Sequence, residues 1–262
     1  MDKYRKRYMV TSAQMDADFR LSARGIAQLF QDCFASYMAT YRCAAFDLRE
    51  KSMMWIISDF TFSIAGPLPL WGDSMDIELW LPDEPEFKVP CDYRFIRNGH
   101  TVIEGTSNWA ILDIATRQPV PARSILERQQ IICEHAVERR RPRFTFPSVE
   151  PQVYEHQTNS SDTDFNSHIS NLTYLTVALD ALPVEYVKSH CIARISMRFL
   201  HESFLGDRLK VMFAENGTGT DSWSFRMENG RNETCCQACI EFSGSAGASF
   251  GSDSEIRKQP TA

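Results

Sequence analysis

Four polar side chains carry the strongest chemical signal in this sequence. Asp164, Asn166 and His168 alternate through the segment SDTDFNSHISNLTYL (residues 161–175), and Glu202 shortly precedes the Gly-Asp pair at Gly206 and Asp207. A carboxylate can take a proton from water, an imidazole can polarise a carbonyl or pass a proton to a leaving group, and an amide can orient either partner. The set therefore suits attack by activated water on a carbonyl carbon. Because three of the four stand just before an apolar helical pattern, they are expected at a helix start, where free backbone N–H groups and the positive end of the dipole favour a developing oxyanion. Each residue also has a structural reading: Asp164 as a helix N-cap, His168 as an exposed or structural histidine, Asn171 as a hydrogen-bonding residue one turn in, and Glu202 as a solvated turn residue.

The elements that must position these residues are written into the chain twice. Residues 7–19 (RYMVTSAQMDADF) match residues 153–165 (VYEHQTNSSDTDF), setting Tyr8, Asp16, Asp18 and Phe19 against Tyr154, Asp162, Asp164 and Phe165. A helical face follows each stretch: Ile26, Leu29, Phe30, Cys33, Phe34, Tyr37 and Met38 in the first, and Ile169, Leu172, Leu175, Thr176, Leu179 and Leu182 in the second, where Pro183 ends the run. WGDSMDIELW at 71–80 then answers LGDRLKVMFA at 205–214, each a Gly-Asp turn opening a strand of period two. RFIRNG at 94–99 answers RMENG at 226–230, read as Asn-Gly hairpin turns. Alternation predicts strands over 54–64, 75–81, 87–97 and 101–112, and again over 192–200, 208–214, 223–228 and 233–243.

One long apolar helix followed by hairpin-linked strands is an α+β pattern, in which a curved antiparallel sheet wraps around the central helix. That is the hotdog arrangement, and two tandem copies imply a pseudo-dimer within one chain. The expected division is a first hotdog at residues 1–133, a charged linker at 134–150 interrupted by Pro142 and Pro147, a second hotdog at 151–245 and a disordered tail at 246–262. Aligned in this way, the first copy serves as an internal control. Where the second has Asn166, His168 and Asn171, the first has Arg20, Ser22 and Gly25, and Leu68 stands where the second has Glu202. Fold signals persist while the polar groups differ, which is expected if both copies fold and one does chemistry.

Composition narrows the function classes. The chain has 262 residues and a net charge of −6, which argues against a general nucleic-acid binder. No apolar run reaches the roughly 20 residues that a membrane span needs. The start, MDKYRKRYMV, lacks the apolar stretch of a secretory signal, so a cytoplasmic protein is expected. Eight scattered cysteines fit reduced thiols, and the CxxC at Cys236 and Cys239 reads as buried strand rather than zinc site, with no second ligand pair nearby. No metal is expected.

The segment 161–175 resembles the D-x-N-x-H-x-x-N-x-x-Y signature of the acyl-acyl carrier protein thioesterases of plant plastids and bacteria, matching at Asp164, Asn166, His168, Asn171 and Tyr174. Trp55-Ile56, PLWGD at 69–73, Trp80, TSNWAILD at 106–113 and Thr116-Arg117 follow the family pattern in the family's order, so the resemblance covers nearly the whole chain except the tail. It implies a first half that shapes the acyl-chain cavity and a second half that supplies Asp164, Asn166, His168 and Glu202 as the catalytic set. Plant members carry cysteine after the glutamate and this chain has Ser203, which moves the expected attack to water held by Glu202. Phe30, Phe34, Met53, Trp55 and Asn171 are the expected acyl-binding residues. No cofactor is implied, because a thioester is already an activated acyl group. The implied partner is acidic acyl carrier protein bearing a fatty acyl chain, with no nucleic acid and no membrane insertion. Arg139, Arg140, Arg141 and Arg143 are candidate docking cations, Lys3 to Arg7 a second basic cluster, and either cluster reads equally well as solvated charge. The double-hotdog chain could itself pair as a homodimer. An acyl-CoA thioesterase, a hotdog dehydratase and a non-catalytic acyl-binding protein stay open as alternatives.

Overall fold

The long apolar row of the first half forms a helix because its start is capped and its length is unbroken by proline. The Ser22 side chain accepts the Gly25 N–H at 3.0 Å, opening α1 (Ala23–Thr40), in which ten residues from Ala23 to Met38 are buried. The computed structural model describes residues 2–126, 129–137, 144–217 and 221–245. Arg139, Arg140, Arg141, Arg143 and the expected tail lie outside these residues. The other elements of the first half are β1 (Tyr4–Met9), α2 (Ala45–Arg49), β2 (Met53–Ile64), β3 (Ser74–Trp80), β4 (Val89–Arg97), β5 (His100–Asp113) and the short β6 (Pro119–Val120). The second half runs β7 (Gln152–Gln157), α3 (Asn171–Asp180), α4 (Val184–Ser189), β8 (His190–Phe199), β9 (Arg208–Glu215), β10 (Ser222–Glu228) and β11 (Thr234–Ser245).

These strands make one antiparallel sheet in the order β1-β3-β4-β5-β2-β8-β11-β10-β9-β7, with β6 hydrogen-bonded to β5. Each half thus repeats one hotdog order, and β2 pairing with β8 joins them edge to edge. Thr61 lies opposite Ser196, their hydroxyls 3.0 Å apart, while Phe60 faces Met197 and Phe62 faces Ile195. Since Phe62 and Met197 hold equivalent places in the two halves, as do Phe60 and Ile195, a pseudo-twofold axis passes through the Thr61–Ser196 pair. Both hydroxyls are buried and each satisfies the other. Helices α1 and α3 meet on the same side of this join.

Strand register corrects the alignment of the two halves. Tyr8 lies opposite Met75 and His156 opposite Leu209, and Met75 and Leu209 are themselves equivalent. Tyr8 therefore corresponds to His156, two residues beyond the position that the sequence match suggests. A slip of two leaves the alternation of inward and outward side chains unchanged, so period alone could not reveal it. In the structural register Asp164 corresponds to Asp16, Asn166 to Asp18, His168 to Arg20 and Asn171 to Ala23. The Asn-Gly reading of the second hairpin is also corrected. Asn98 and Gly99 both have positive φ (52° and 79°), as a tight two-residue turn requires, but β10 and β11 are separated by a longer loop whose left-handed residue is Asn232. Cys236 and Cys239 lie on β11 as expected, and their odd spacing along a strand points them to opposite faces.

One exchange of volume distinguishes the halves. Tyr93 sits opposite Gly105 and donates its hydroxyl to the Thr61 carbonyl at 3.2 Å, and a Cβ built on Gly105 would lie 2.4 Å from that hydroxyl oxygen. The equivalent pair in the second half is Phe225 opposite Ala238: the ring has no hydroxyl and the glycine has become alanine. Gly105→Ala should therefore destabilise the protein by about 1–3 kcal/mol through overpacking. Adding Tyr93→Phe removes the hydroxyl contact but leaves the ring carbon Cζ and the Thr61 carbonyl each 2.5 Å from the new Cβ, so it should recover only a minor part of that loss in chemical denaturation, and full recovery would show the hydroxyl alone to be limiting.

The N-terminal basic cluster is consumed by the fold. Arg5 and Arg7 bind Asp76 across β1 and β3, Lys6 binds Asp32, and Lys3 binds Glu134 and lies over the Trp80 ring. Hydrogen bonds from Arg7, and then from Arg5, hold the Asp76 carboxyl at about 2. A carboxylate depressed on folding contributes stability above its ordinary range near 3.8 and loses it as pH falls towards 2. Asp76→Asn should accordingly lower the unfolding midpoint at neutral pH, and the difference from the parent should shrink between pH 4 and pH 2.

Candidate active site

The segment before α3 is not a helix start. Asp164 accepts the N–H groups of Asn166 (2.8 Å) and His168 (3.3 Å) on one carboxylate oxygen, and its own N–H donates to the His168 carbonyl at 2.8 Å. Ser167 closes the turn with φ of 62°. The helix begins only at Asn171, where the Ser170 hydroxyl accepts the Leu172 N–H at 3.2 Å. Asp164 thus caps a tight turn, and Asn171 is the first helical residue rather than one turn in. The free N–H groups expected to receive an oxyanion at Asn166 and His168 are occupied by Asp164. Asp16 builds the same turn in the first half, accepting the N–H groups of Asp18 (2.9 Å) and Arg20 (3.1 Å) around Phe19 at φ of 59°. The turn is common to both halves, and the side chains it presents are not.

Glu202 reaches this turn through a single backbone bond. The Ile169 N–H donates to the Ser203 carbonyl at 2.9 Å, as Leu21 donates to Pro69 at 2.8 Å in the first half. The loop carrying Glu202 is held from its other side by Asn229 and Arg231, which donate to the Glu202 carbonyl at 3.0 and 3.1 Å. Below it Gly206, at φ of 91°, turns the chain while Asp207 accepts the Phe204 N–H. As a result the Glu202 carboxylate lies 3.6 Å from His168 Nδ1, and the Phe204 ring meets the imidazole edge to face. Ser203 is fully buried, with its carbonyl used by Ile169, so its hydroxyl is closed to substrate.

Asn166 and His168 line two adjoining cavities. The larger, about 1040 Å³, runs between α1, α3 and strands β2 and β8, and Asp164, Asn171 and Glu202 also line it. Its wall is rigid where Phe34 stacks on Trp109 at 3.9 Å and meets Trp55 edge to face, while the Trp55 indole donates to the Cys43 carbonyl at 2.8 Å. The smaller cavity, about 540 Å³, opens past Met53 and the exposed rings of Phe46 and Phe165. Of the expected acyl-binding residues, Phe34, Met53, Trp55 and Asn171 each line one cavity or both. Phe30 lines neither, being packed in the core against Tyr93 and Phe60.

Sequence reasoning missed two groups. Asn229 carries only a hairpin signal in the sequence and Arg231, just beyond that match, carries none, while Arg117, which belongs to the Thr116-Arg117 motif, comes from the first half to donate to Glu202 at 2.6 Å. Its guanidinium also stands 3.5 Å from His168 Nε2 and 3.6 Å from the Met54 sulfur.

The two halves match the models of the N-terminal domain (residues 1–125) and the C-terminal domain (residues 148–244) of acyl-ACP thioesterases. The chain belongs to the acyl-ACP thioesterase family. Members of this family are thioester hydrolases. The chain is 22% identical to oleoyl-acyl carrier protein thioesterase 1, chloroplastic, of Arabidopsis thaliana, over 92% of this chain and 72% of that one. It is 21% identical to an acyl-[acyl-carrier-protein] hydrolase, chloroplastic, of Cuphea viscosissima, over 64% of this chain and 43% of that one, so it spans less than half the length of the latter. Among solved structures it superposes on an acyl-ACP thioesterase of Bacteroides thetaiotaomicron (TM-score 0.81, 19% identity, covering 92% and 97% of the two chains). It also superposes on the 12:0-ACP thioesterase of Umbellularia californica (TM-score 0.79, 17% identity, 92% and 97%). No helix among the described residues is long and apolar enough to cross a membrane.

For this acyl-ACP thioesterase family member, the geometry of Asp164 separates two roles. If its oxygen serves to fold the turn, Asp164→Asn should retain most activity, because an amide oxygen can accept the same two N–H groups. Asp164→Ala should lose about 0.5–2 kcal/mol of stability, as for a lost cap, together with most turnover. Equal loss in both variants, measured by steady-state hydrolysis and thermal melts, would make the charge itself essential.

Proposed function

We propose that this chain hydrolyses the thioester of fatty acyl groups carried on acyl carrier protein, releasing free fatty acid in fatty acid biosynthesis. The observation that carries the reading is the approach of Glu202 to His168 within a cavity large enough for an acyl chain, at the place where His168 and Asn166 also line a second, smaller cavity. The division of labour follows: the first half, residues 1–133, supplies α1 and β2 as cavity wall, and the second, residues 151–245, supplies the reacting groups.

In this mechanism Glu202 takes a proton from water as the water oxygen attacks the thioester carbon. The oxyanion forms against the side chains of His168 and Asn166, since the backbone donors of the turn are already engaged. On collapse the carbon–sulfur bond breaks, and the proton held by Glu202 passes to the sulfur, with the imidazole assisting. Acid and thiol leave, and Glu202 is again a carboxylate. Asp164 holds the turn that sets Asn166 and His168 in place. Burial of Ser203 supports direct attack by water over an acyl-enzyme. For docking the acidic carrier, Arg139, Arg140, Arg141 and Arg143 remain the proposed cations, because the N-terminal basic residues are paired within the fold.

Glu202→Gln, Asn166→Ala and His168→Ala should each lower kcat by about 10²-fold or more without shifting the melting temperature appreciably. Wild-type turnover in the Glu202 variant would remove the general base. The same acyl chain should be released faster from carrier protein than from CoA, and the opposite order would reassign the carrier.

A further inference from the structure

Arg117 stands in the first half, on the hairpin between β5 and β6, yet its guanidinium lies within the cluster of the second half. The hairpin is built to present it. Asp113 accepts the N–H groups of Ala115 (3.0 Å) and Thr116 (2.7 Å), the Arg117 N–H returns to the Asp113 carbonyl at 2.9 Å, and Ile114 donates to the Ser52 carbonyl. Within this frame Arg117 takes φ of 60°, a left-handed backbone that a residue with a side chain adopts at a cost. From it the side chain lays one nitrogen against Met54 sulfur and the other 2.6 Å from Glu202. The pair is two-fifths exposed on the arginine side, where an ion pair adds little to stability. Stability therefore gives no reason for so constrained a presentation.

We infer that Arg117 is a positioning residue for the reaction proposed above, clamping the Glu202 carboxylate and fixing the tautomer of His168. The argument rests on donor inventory. A guanidinium has only N–H donors, so the imidazole nitrogen that faces it at 3.5 Å, Nε2, must present its lone pair. The ring proton is then on Nδ1, the nitrogen facing Glu202 at 3.6 Å. One cation thereby orients both groups, holding one Glu202 oxygen and turning the other towards the imidazole N–H at 3.6 Å, a gap longer than a direct hydrogen bond. No other described lysine or arginine lies within ion-pairing distance of the Glu202 carboxylate. Since the clamp crosses the pseudo-twofold join, neither half completes the cluster alone.

Arg117→Gln and Arg117→Lys test this. Arg117→Gln should lower kcat by about 30- to 100-fold with KM within about threefold, the split expected when alignment is lost and binding is not. Arg117→Lys keeps the charge but loses the planar fork, and should fall between Gln and wild type. Nitrogen-15 spectra of the free enzyme, with the His168 resonances identified by their absence in His168→Gln, should show the proton on Nδ1 in the wild type and a shift towards Nε2 in Arg117→Gln. This readout needs no thioester, so it separates failure of the clamp from failure of the hydrolytic reading. An unchanged ring tautomer in Arg117→Gln would overturn the inference. So would a rise in KM at constant kcat, which would move Arg117 to carrier binding. Matching melting temperatures for the two variants are expected, and a loss of fold shared by both would also overturn it, showing the pair to be structural.

Discussion

Antiparallel pairing of β2 with β8 is the constraint on which the rest of the molecule depends. It makes two sheets into one and fixes the pseudo-twofold axis at Thr61 and Ser196, two hydroxyls that are buried only because each completes the other's hydrogen bond. From that axis the remaining geometry follows. The two helices are brought together on one side, leaving between them the cavity of about 1040 Å³. The far end of the β5 hairpin is carried over the helix entry of the opposite half, where Arg117 meets Glu202. A site made this way belongs to the join and not to either repeat.

Within the site, the atoms that hold the turn and its loop are not those of the proposed reacting groups. The Asp164 carboxylate is spent on backbone N–H groups, and the Ser203 carbonyl fastens the Glu202 loop to the turn. Asn229 completes the fastening from beneath, through an amide that is almost wholly buried and hydrogen-bonded on both ends. These bonds leave Glu202, His168 and the Asn166 amide free to face the cavity. Stacking of Phe34 on Trp109, with the Trp55 indole hydrogen-bonded to the Cys43 carbonyl, builds the aromatic wall of that cavity.

The elements were legible because periodicity is a local property: the eight strands that alternation marks, and both long helices apart from the start of α3, lie close to where that pattern or the three-and-four spacing puts them, while β1, β6 and β7 carry no such range in the sequence. The polar cluster was legible for another reason, since a half-chain repeat offers its own comparison. What could not be read was anything that depends on registration or on reach. A two-residue slip preserves alternation, so Tyr8 matched Tyr154 in sequence while pairing like His156 in space. Asp164 has the composition of a helix cap and performs a related task six residues before the capping residue Ser170. Asn229-Gly230 spells a tight turn, whereas the asparagine side chain is bound to a loop of the neighbouring strand end. Arg117 is distant in sequence from Glu202 and His168, and the β2–β8 join brings it near them.

The twin turns at Asp16 and Asp164 have one more consequence. Each is a device for displaying side chains, and its own stability depends on an acceptor oxygen and a few backbone N–H groups, not on what is displayed. In the second half the display holds Asn166 and His168; in the first it holds Asp18 and Arg20 at no evident cost to folding. Foldability and the proposed reactivity are thus encoded at separate positions. Either display can therefore be changed without removing the acceptor that folds its turn.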